Sequence, residues 1–150
     1  MTVVDKTPPA QSEFIAFELE VAHAPAKVWR ALTEPALLTE WLLPVVDQQL
    51  TLAAGSSFAL KTEPKPGWDG RVDCRVIEVD PHRTITYSWV AGDMELDTVV
   101  TFTLTPTESG TRLSLVQSGF KPTQKQASGG ARYGWRLMGG RLVDLLGRMS

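Results

Sequence analysis

The spacing of apolar residues changes once along this chain, from every second position over most of its length to every third or fourth position at its end. At about 100° per residue, the apolar side chains of the last segment form one narrow stripe. That stripe consists of Ala131, Trp135, Met138, Leu142, Leu145 and Met149. We predict a single amphipathic helix that begins near Ser128 and covers one face of the preceding structure.

Before this helix, apolar and polar residues alternate in several short runs. They include residues 15–21, the surroundings of Leu50 to Leu52, and residues 58–60, 71–79, 85–89, 100–104 and 113–115. Alternation predicts half-buried strands, and the Pro, Gly and Asp residues between them predict tight antiparallel turns. The adjacent apolar residues Val76 and Ile77 switch the alternation and predict a β-bulge. We expect about six or seven strands in one curved sheet.

Two short helices interrupt this pattern after the first strand. Pro25 and Pro35 each suit the first turn of a helix, where the missing N–H matters least, and apolar residues follow each at helical spacing. The order is therefore strand, two helices, further strands and a long helix. This order predicts an α+β fold of the helix-grip type, in which a curved antiparallel sheet wraps round the C-terminal helix and that helix covers one face of the sheet.

The length of 150 residues suits one domain with one core. Residues 1–12 contain Pro8 and Pro9 and no periodic pattern, so we expect a flexible N-terminal tail ahead of a single domain over residues 13–150. Glycines at 134, 139, 140 and 147 weaken the final helix. Of these, Gly134 and Gly139 flank the apolar stripe, where they either permit close packing or leave space.

Charge and composition exclude several partners. Fifteen basic residues against seventeen acidic ones give a net charge of -2, too weak a field to attract nucleic acid. No apolar run is long enough to cross a bilayer and the first residues lack a signal-peptide pattern, so we expect a cytoplasmic protein without membrane insertion. The single cysteine, Cys74, cannot form an internal disulfide and sits where a strand would bury it.

The run PAKVWRALTEPALLTEW, from Pro25 to Trp41, resembles the P-x-x-V-W-x-A-L-T-x-P-x-L-L-x-x-W signature of the activator of heat-shock-protein-90 ATPase-like family. Further pieces agree in order, namely EVDP at 78–81, YSW at 87–89, LTP at 104–106, GT at 110–111, SGF at 118–120 and GW at 134–135. The similarity covers about residues 14–148. Leu42 departs from it, because a second tryptophan often stands there in the family.

Membership of that family implies the broader SRPBCC superfamily, also called START-like or Bet v 1-like. The resemblance implies a deep apolar cavity between the sheet and the last helix. The superfamily includes lipid carriers, plant hormone and allergen proteins, polyketide cyclases and aromatases, and co-chaperone domains, so the fold alone does not decide the activity.

Few residues have the character that catalysis needs. His23 and His82 fall on predicted loops, and one cysteine with two distant histidines does not make a zinc site. Strand alternation directs four carboxylates outward, those of Glu18, Glu20, Glu95 and Asp97. We therefore expect no metal, no cofactor and no catalytic residue.

The residues predicted to face the pocket are mostly aromatic or neutral. We expect a ligand to contact Trp41, Phe58, Cys74, Tyr87, Trp89, Thr98, Phe102, Gln117, Trp135 and Met138. Such a lining suits an apolar molecule that a few hydrogen bonds hold in place. Any one inward aromatic side chain is more often plain core than pocket lining, but the cavity that the resemblance implies must be lined by some of them. Trp68, in a Pro/Gly-rich hairpin, is either a lid over the pocket or an exposed turn residue.

Three functions remain open. The first is a binding protein, without catalysis, for a small hydrophobic molecule such as a lipid or a polyketide-like compound. The second is an enzyme of the polyketide cyclase or aromatase kind, which requires Tyr87, Cys74 or Gln117 to meet a partner inside the pocket. The third is a co-chaperone-like stress-response module. A homodimer is compatible with all three.

Overall fold

The computed structural model describes residues 3–8, 13–47 and 53–149. Its elements are β1 (Val4–Asp5), β2 (Phe14–Val21), α1 (Pro25–Thr33), α2 (Pro35–Trp41), β3 (Val45–Asp47), β4 (Ser57–Lys61), β5 (Arg71–Asp80), β6 (Thr84–Ala91), β7 (Leu96–Thr107), β8 (Gly110–Ser118) and α3 (Lys125–Arg148). A single turn of 3-10 helix, Gly92–Met94, joins β6 to β7. This architecture confirms the helix-grip fold.

All strands form one antiparallel sheet in the order β1-β2-β8-β7-β6-β5-β4-β3. Eight strands are present among the described residues, against the predicted six or seven, because β1 and β3 are edge strands too short to show alternation. The strand predicted around Leu50 to Leu52 lies outside the described residues. The register between β5 and β6 shifts between Val76 and Glu78, which is the predicted bulge.

The N-terminal segment departs from the predicted flexible tail. Val4 and Asp5 pair with Glu18 and Phe17 of β2 and extend the sheet by one strand. The Asp5 carboxylate also accepts a hydrogen bond from Arg132 of α3 at 2.6 Å, with Arg136 at 3.3 Å. These partners are far away in sequence, which is why no local pattern reveals the strand.

Burial alone would raise the pKa of the Asp5 carboxyl, yet hydrogen bonds from Thr7 and Arg132, together with the Arg132 charge, outweigh burial and lower that pKa. The carboxylate is therefore stabilised in the folded state. Its contribution is complete above the ordinary carboxyl pKa and is lost as the pH falls through the lowered value. The segment that contains β1 is thus attached to α3 by charge as well as to β2 by backbone hydrogen bonds.

Helix α3 begins at Lys125, three residues before the predicted start near Ser128. Its inner face carries the predicted apolar stripe, of which Trp135, Met138, Leu142 and Leu145 are buried. A side chain at Gly139 would place its Cβ 2.7 Å from a methyl carbon of Val3, so this glycine permits close packing, against the N-terminal segment. At Gly134 the nearest atom would be the Met138 methyl carbon at 3.7 Å, an ordinary contact.

Candidate functional site

Six aromatic side chains meet between the sheet and α3, and we call them the aromatic cluster: Trp41, Phe58, Tyr87, Trp89, Phe102 and Trp135. Phe102 stands at the centre, with ring centroids 6.0 Å from Tyr87, 6.0 Å from Trp135 and 6.1 Å from Trp41. All five ring pairs of the cluster are edge-to-face or tilted rather than stacked face to face. The cluster therefore fills most of the space where the fold would hold a ligand.

A small void of about 20 Å³ remains beside the cluster, and we call this void with its walls the chamber. Its lining is almost wholly apolar and consists of Val3, Phe17, Leu19, Trp41, Phe102, Leu113, Leu115, Trp135, Gly139 and Leu142. The void has room for about one water molecule. The deep cavity that the resemblance implied is thus closed by side chains in this structure.

A chain of hydrogen bonds crosses the interior from the sheet to α3. The Trp135 indole N–H donates to Gln117 Oε1 at 2.7 Å, and Gln117 Nε2 donates to Thr98 Oγ1 at 2.9 Å. Thr98 Oγ1 in turn donates to the Trp89 carbonyl at 2.8 Å. Gln117 is 1% exposed, so both ends of its amide need these partners. This network fixes the orientation of Trp135 over the chamber.

The Tyr87 hydroxyl contrasts with that network, because it is buried and has no hydrogen-bond partner. Burial, and secondarily the nearby Cys74, raise the pKa of Tyr87 well above its usual value. Burial, with a smaller effect of Asp73, likewise raises the pKa of the Cys74 thiol. Both groups are therefore neutral at physiological pH, and Cys74 is not an activated nucleophile.

All ten residues that the sequence predicted as ligand contacts are buried. Trp41, Phe102 and Trp135 line the chamber directly, and the other three aromatic residues extend the cluster toward β4, β5 and β6. Thr98 and Gln117 belong to the hydrogen-bond network. Cys74 is close to Tyr87, and Met138 lies on the inner face of α3. Their role toward a ligand stays a prediction.

The prediction missed seven chamber residues: Val3, Phe17, Leu19, Leu113, Leu115, Gly139 and Leu142. Strand alternation could have predicted the four chamber residues on β2 and β8, because their side chains point inward in the same way as those of the predicted ligand contacts. Helical spacing could have found Leu142. No sequence pattern marks Val3 as a chamber residue, because the two-residue strand that follows it is defined only by its pairing with β2.

A larger depression of about 310 Å³ lies on the outer side of β4, β5 and β6, and among its lining residues are Arg71, Asp73, Arg75 and Ser88. It is open to solvent, and the Arg75 N–H donates to the Ser88 hydroxyl there. Phe58 and Cys74 reach its floor. Because its rim is exposed and charged, we place the candidate site in the chamber, whose lining is apolar and mostly buried.

The remaining candidates for chemistry lie away from the chamber. His82 is exposed and its ring meets Trp29 edge-on, with 6.0 Å between ring centroids. Burial, followed by the Lys27 charge, lowers the pKa of His23. Among the described residues no group of three potential ligands could hold a metal ion. Trp68 donates its indole N–H to the Arg71 carbonyl within its own hairpin and lines neither cavity.

Comparisons with known proteins agree with this architecture. The family model described as activator of Hsp90 ATPase homolog 1-like protein matches residues 22–147. No curated protein matches the chain closely enough to be counted as a relative. In the described part of the chain, no helix is both long enough and apolar enough to cross a membrane.

Solved structures share the fold across nearly the whole chain. A protein from Mesorhizobium loti is 40% identical, with a TM-score of 0.82 over 91% of this chain and 98% of that one. The Aha1 dimer from Colwellia psychrerythraea is 19% identical, with a TM-score of 0.74 over 89% and 95%. DynU16, a putative protein in the dynemicin biosynthetic locus, is 21% identical, with a TM-score of 0.75 over 91% of this chain and 48% of its own.

Proposed function

We propose that this chain, which belongs to the activator of Hsp90 ATPase homolog 1-like family, is a binding protein that holds a small apolar molecule in the chamber without transforming it. The observation that carries the proposal is the small, almost wholly apolar void beside the aromatic cluster. Apolar pockets with a few convergent polar groups are the usual form of small-molecule sites. The Gln117 network adjoins the void through Trp135, which lines it and donates to Gln117.

The size of the void requires side chains to move before a ligand of ordinary size can enter. One residue of the wall, Val3, precedes a strand of only two residues. Its neighbours Phe17 and Leu19 belong to β2, which pairs along its whole length with β8. We therefore propose that the ligand enters beside the N-terminal segment and displaces Val3 from Gly139.

The chemistry of the interior favours holding over catalysis. General acid and base groups work best with a pKa near the working pH. The buried residues include no carboxylate, imidazole or amine among those described, and the two titratable groups near the cluster, Cys74 and Tyr87, are both kept neutral. Binding and orientation are what such an interior can supply.

The comparisons bear on two other functions, a role in natural-product synthesis and a co-chaperone-like role. The dynemicin locus protein supports a role beside the synthesis of a natural product, in which a chamber would carry or protect an intermediate. The family description keeps a co-chaperone-like role as the second candidate, and the Colwellia dimer keeps a homodimer as a proposal. The co-chaperone-like role and the homodimer need no internal void, which is why we rank ligand binding first.

Blocking the void tests this proposal. We expect Leu115→Phe, which extends a chamber side chain into the void, to weaken the binding of small aromatic compounds by at least about tenfold. The measurement is a titration followed by tryptophan fluorescence. The matched control is Val116→Phe, because Val116 is the next residue of β8, faces outward and is 37% exposed.

If the ligand binds in the chamber, Val116→Phe keeps its affinity for the aromatic compounds and Leu115→Phe loses it. Equal affinity in both variants would move the ligand elsewhere on the protein. Absence of any saturable binding by the unmodified protein, across apolar compounds of graded size, would refute the proposed function itself.

A further inference from the structure

The N-terminal segment lies against both β2 and α3, and we call residues 3–8 the strap. Its side chains alternate, so that Val3, Asp5 and Thr7 are partly buried and the residues between them are exposed. Val3 lines the chamber and packs against Gly139 of α3. One side of the strap is therefore part of the chamber wall, and the other side faces solvent.

The strap is an edge of the sheet, whereas the other strands of the chamber wall lie inside it. Strands β2, β7 and β8 each pair with a neighbour on both sides. Strand β1 pairs with β2 alone, through Val4 and Asp5. Beyond it, the Lys6 N–H donates to the Ala16 carbonyl at 2.8 Å, and the Thr7 hydroxyl accepts from the Ala16 N–H at 3.0 Å. Because short edge segments open at a lower free energy than strands paired on both sides, the strap can detach while the rest of the sheet stays folded.

One carboxylate joins the strap to α3. Asp5 Oδ2 accepts hydrogen bonds from Arg132 Nε at 2.9 Å and Arg132 Nη2 at 2.6 Å, and Arg136 Nη2 lies 3.3 Å away. The Asp5 side chain is only 10% exposed, so solvent screens its charge less than that of a surface carboxylate. Positions 132, 136 and 139 lie on one side of α3, at spacings of four and three residues. The carboxylate therefore holds the strap in the position that places Val3 against Gly139.

We propose that the strap is the movable cover of the chamber, and that the ion pairs of Asp5 with Arg132 and Arg136 are the latch that sets how often it opens. This inference rests on the proposed function, because the cover gives access to the same chamber. Detachment removes Val3 from the wall and uncovers Gly139, where no side chain blocks the opening. Strands β2 and β8 keep their pairing while the ligand enters.

Asp5→Asn tests the latch without any ligand. The substitution removes the charge that faces the arginines but keeps an oxygen that can accept from the Thr7 N–H. We expect the Lys6 amide hydrogen to exchange about tenfold faster, because a charge-assisted hydrogen bond no longer opposes opening. Glu20→Gln is the matched control, since Glu20 accepts a hydrogen bond from Arg112 Nη2 at 2.8 Å at an exposed position of β2.

The amides of β8 provide the internal reference, because β8 is paired on both sides. Faster exchange at Lys6 in Asp5→Asn alone, with the β8 amides unchanged, supports the latch. An unchanged Lys6 rate overturns it. Equal acceleration at Lys6 and in β8 also overturns it, because the substitution would then have destabilised the whole fold, as would equal acceleration at Lys6 in Glu20→Gln.

A reversible disulfide tests the strap as the cover. A Cβ atom at Gly139 would lie 3.5 Å from the Val3 Cβ, a separation that a disulfide can span. The double variant Val3→Cys/Gly139→Cys therefore fixes the strap when oxidised and releases it when reduced. We expect the oxidised form to bind indane at least about tenfold more slowly than the reduced form, measured by stopped-flow tryptophan fluorescence. The unmodified protein under both redox conditions is the control, and its single cysteine, Cys74, is buried.

Slow binding by the oxidised form, with recovery on reduction, supports the strap as the cover. Equal rates in the two forms overturn it, because the ligand would then enter elsewhere. If the unmodified protein does not bind indane or any other apolar compound, the proposed function fails and the cover fails with it. The exchange rate of the Lys6 amide decides in that case whether Asp5 still holds the strap on α3.

Discussion

Replacing Gln117 with leucine is expected to lower the free energy of unfolding by about 2–3 kcal/mol, although leucine is apolar and of similar size. The change leaves the Trp135 indole N–H without an acceptor in a buried site. Thr98 keeps its hydrogen bond to the Trp89 carbonyl, so the cost falls mainly on Trp135. Urea unfolding followed by tryptophan fluorescence gives the difference directly.

Gln124→Leu is the matched control for this prediction. Gln124 donates to the Glu95 carbonyl at 2.9 Å and accepts a hydrogen bond from the Lys121 backbone N–H at 2.9 Å, but both hydrogen bonds are exposed and water can replace them. We expect a loss below about 1 kcal/mol there. Similar losses in the two variants would mean that burial of the Gln117 network adds nothing to stability. A double-mutant cycle with Trp135→Phe then measures how much of the loss belongs to the pair.

Replacing Phe102 with alanine is expected to cost about 3–5 kcal/mol, because Phe102 is buried at the centre of the aromatic cluster and the emptied space joins the existing void. The enlarged chamber stays apolar, and such cavities bind benzene-sized molecules. We therefore expect benzene to raise the thermal unfolding midpoint of the variant. Calorimetry with and without saturating benzene measures this.

The matched control is Phe120→Ala. Phe120 is also buried, at 3% exposed, but it does not line the chamber and is not part of the aromatic cluster. We expect a comparable loss of stability without recovery by benzene. If benzene raised the unfolding midpoint of both variants, or of neither, the space around Phe102 would not be continuous with the chamber.

The sequence could predict the parts of this fold that repeat a local pattern. Alternation in β2, β5, β6, β7 and β8 and the helical stripe of α3 each bury one set of side chains, so periodicity locates them. The same parity correctly placed Tyr87, Trp89, Phe102 and Gln117 inside. Even the bulge at Val76 was visible, because a bulge shifts the alternation by one residue.

Other features depend on contacts that no local pattern records. The pairing of Val4 and Asp5 with β2 is supported by Arg132, more than a hundred residues away in the chain, and a strand of two residues cannot alternate. The size of the void depends on how bulky side chains interlock, which residue types alone do not determine. For the same reason, parity could place Tyr87 inside but could not show that its hydroxyl lacks a partner.

Binding in the chamber is tested most directly by the indole N–H resonances of the five tryptophans during a titration with a small aromatic compound such as indane. Trp41 and Trp135 line the void, whereas Trp68 lies in a surface hairpin. Saturable shifts of the Trp41 and Trp135 resonances, with Trp68 unmoved, are the predicted result. Shifts confined to Trp68, or none at any tryptophan at the solubility limit of the probe, would contradict a ligand held between the sheet and α3.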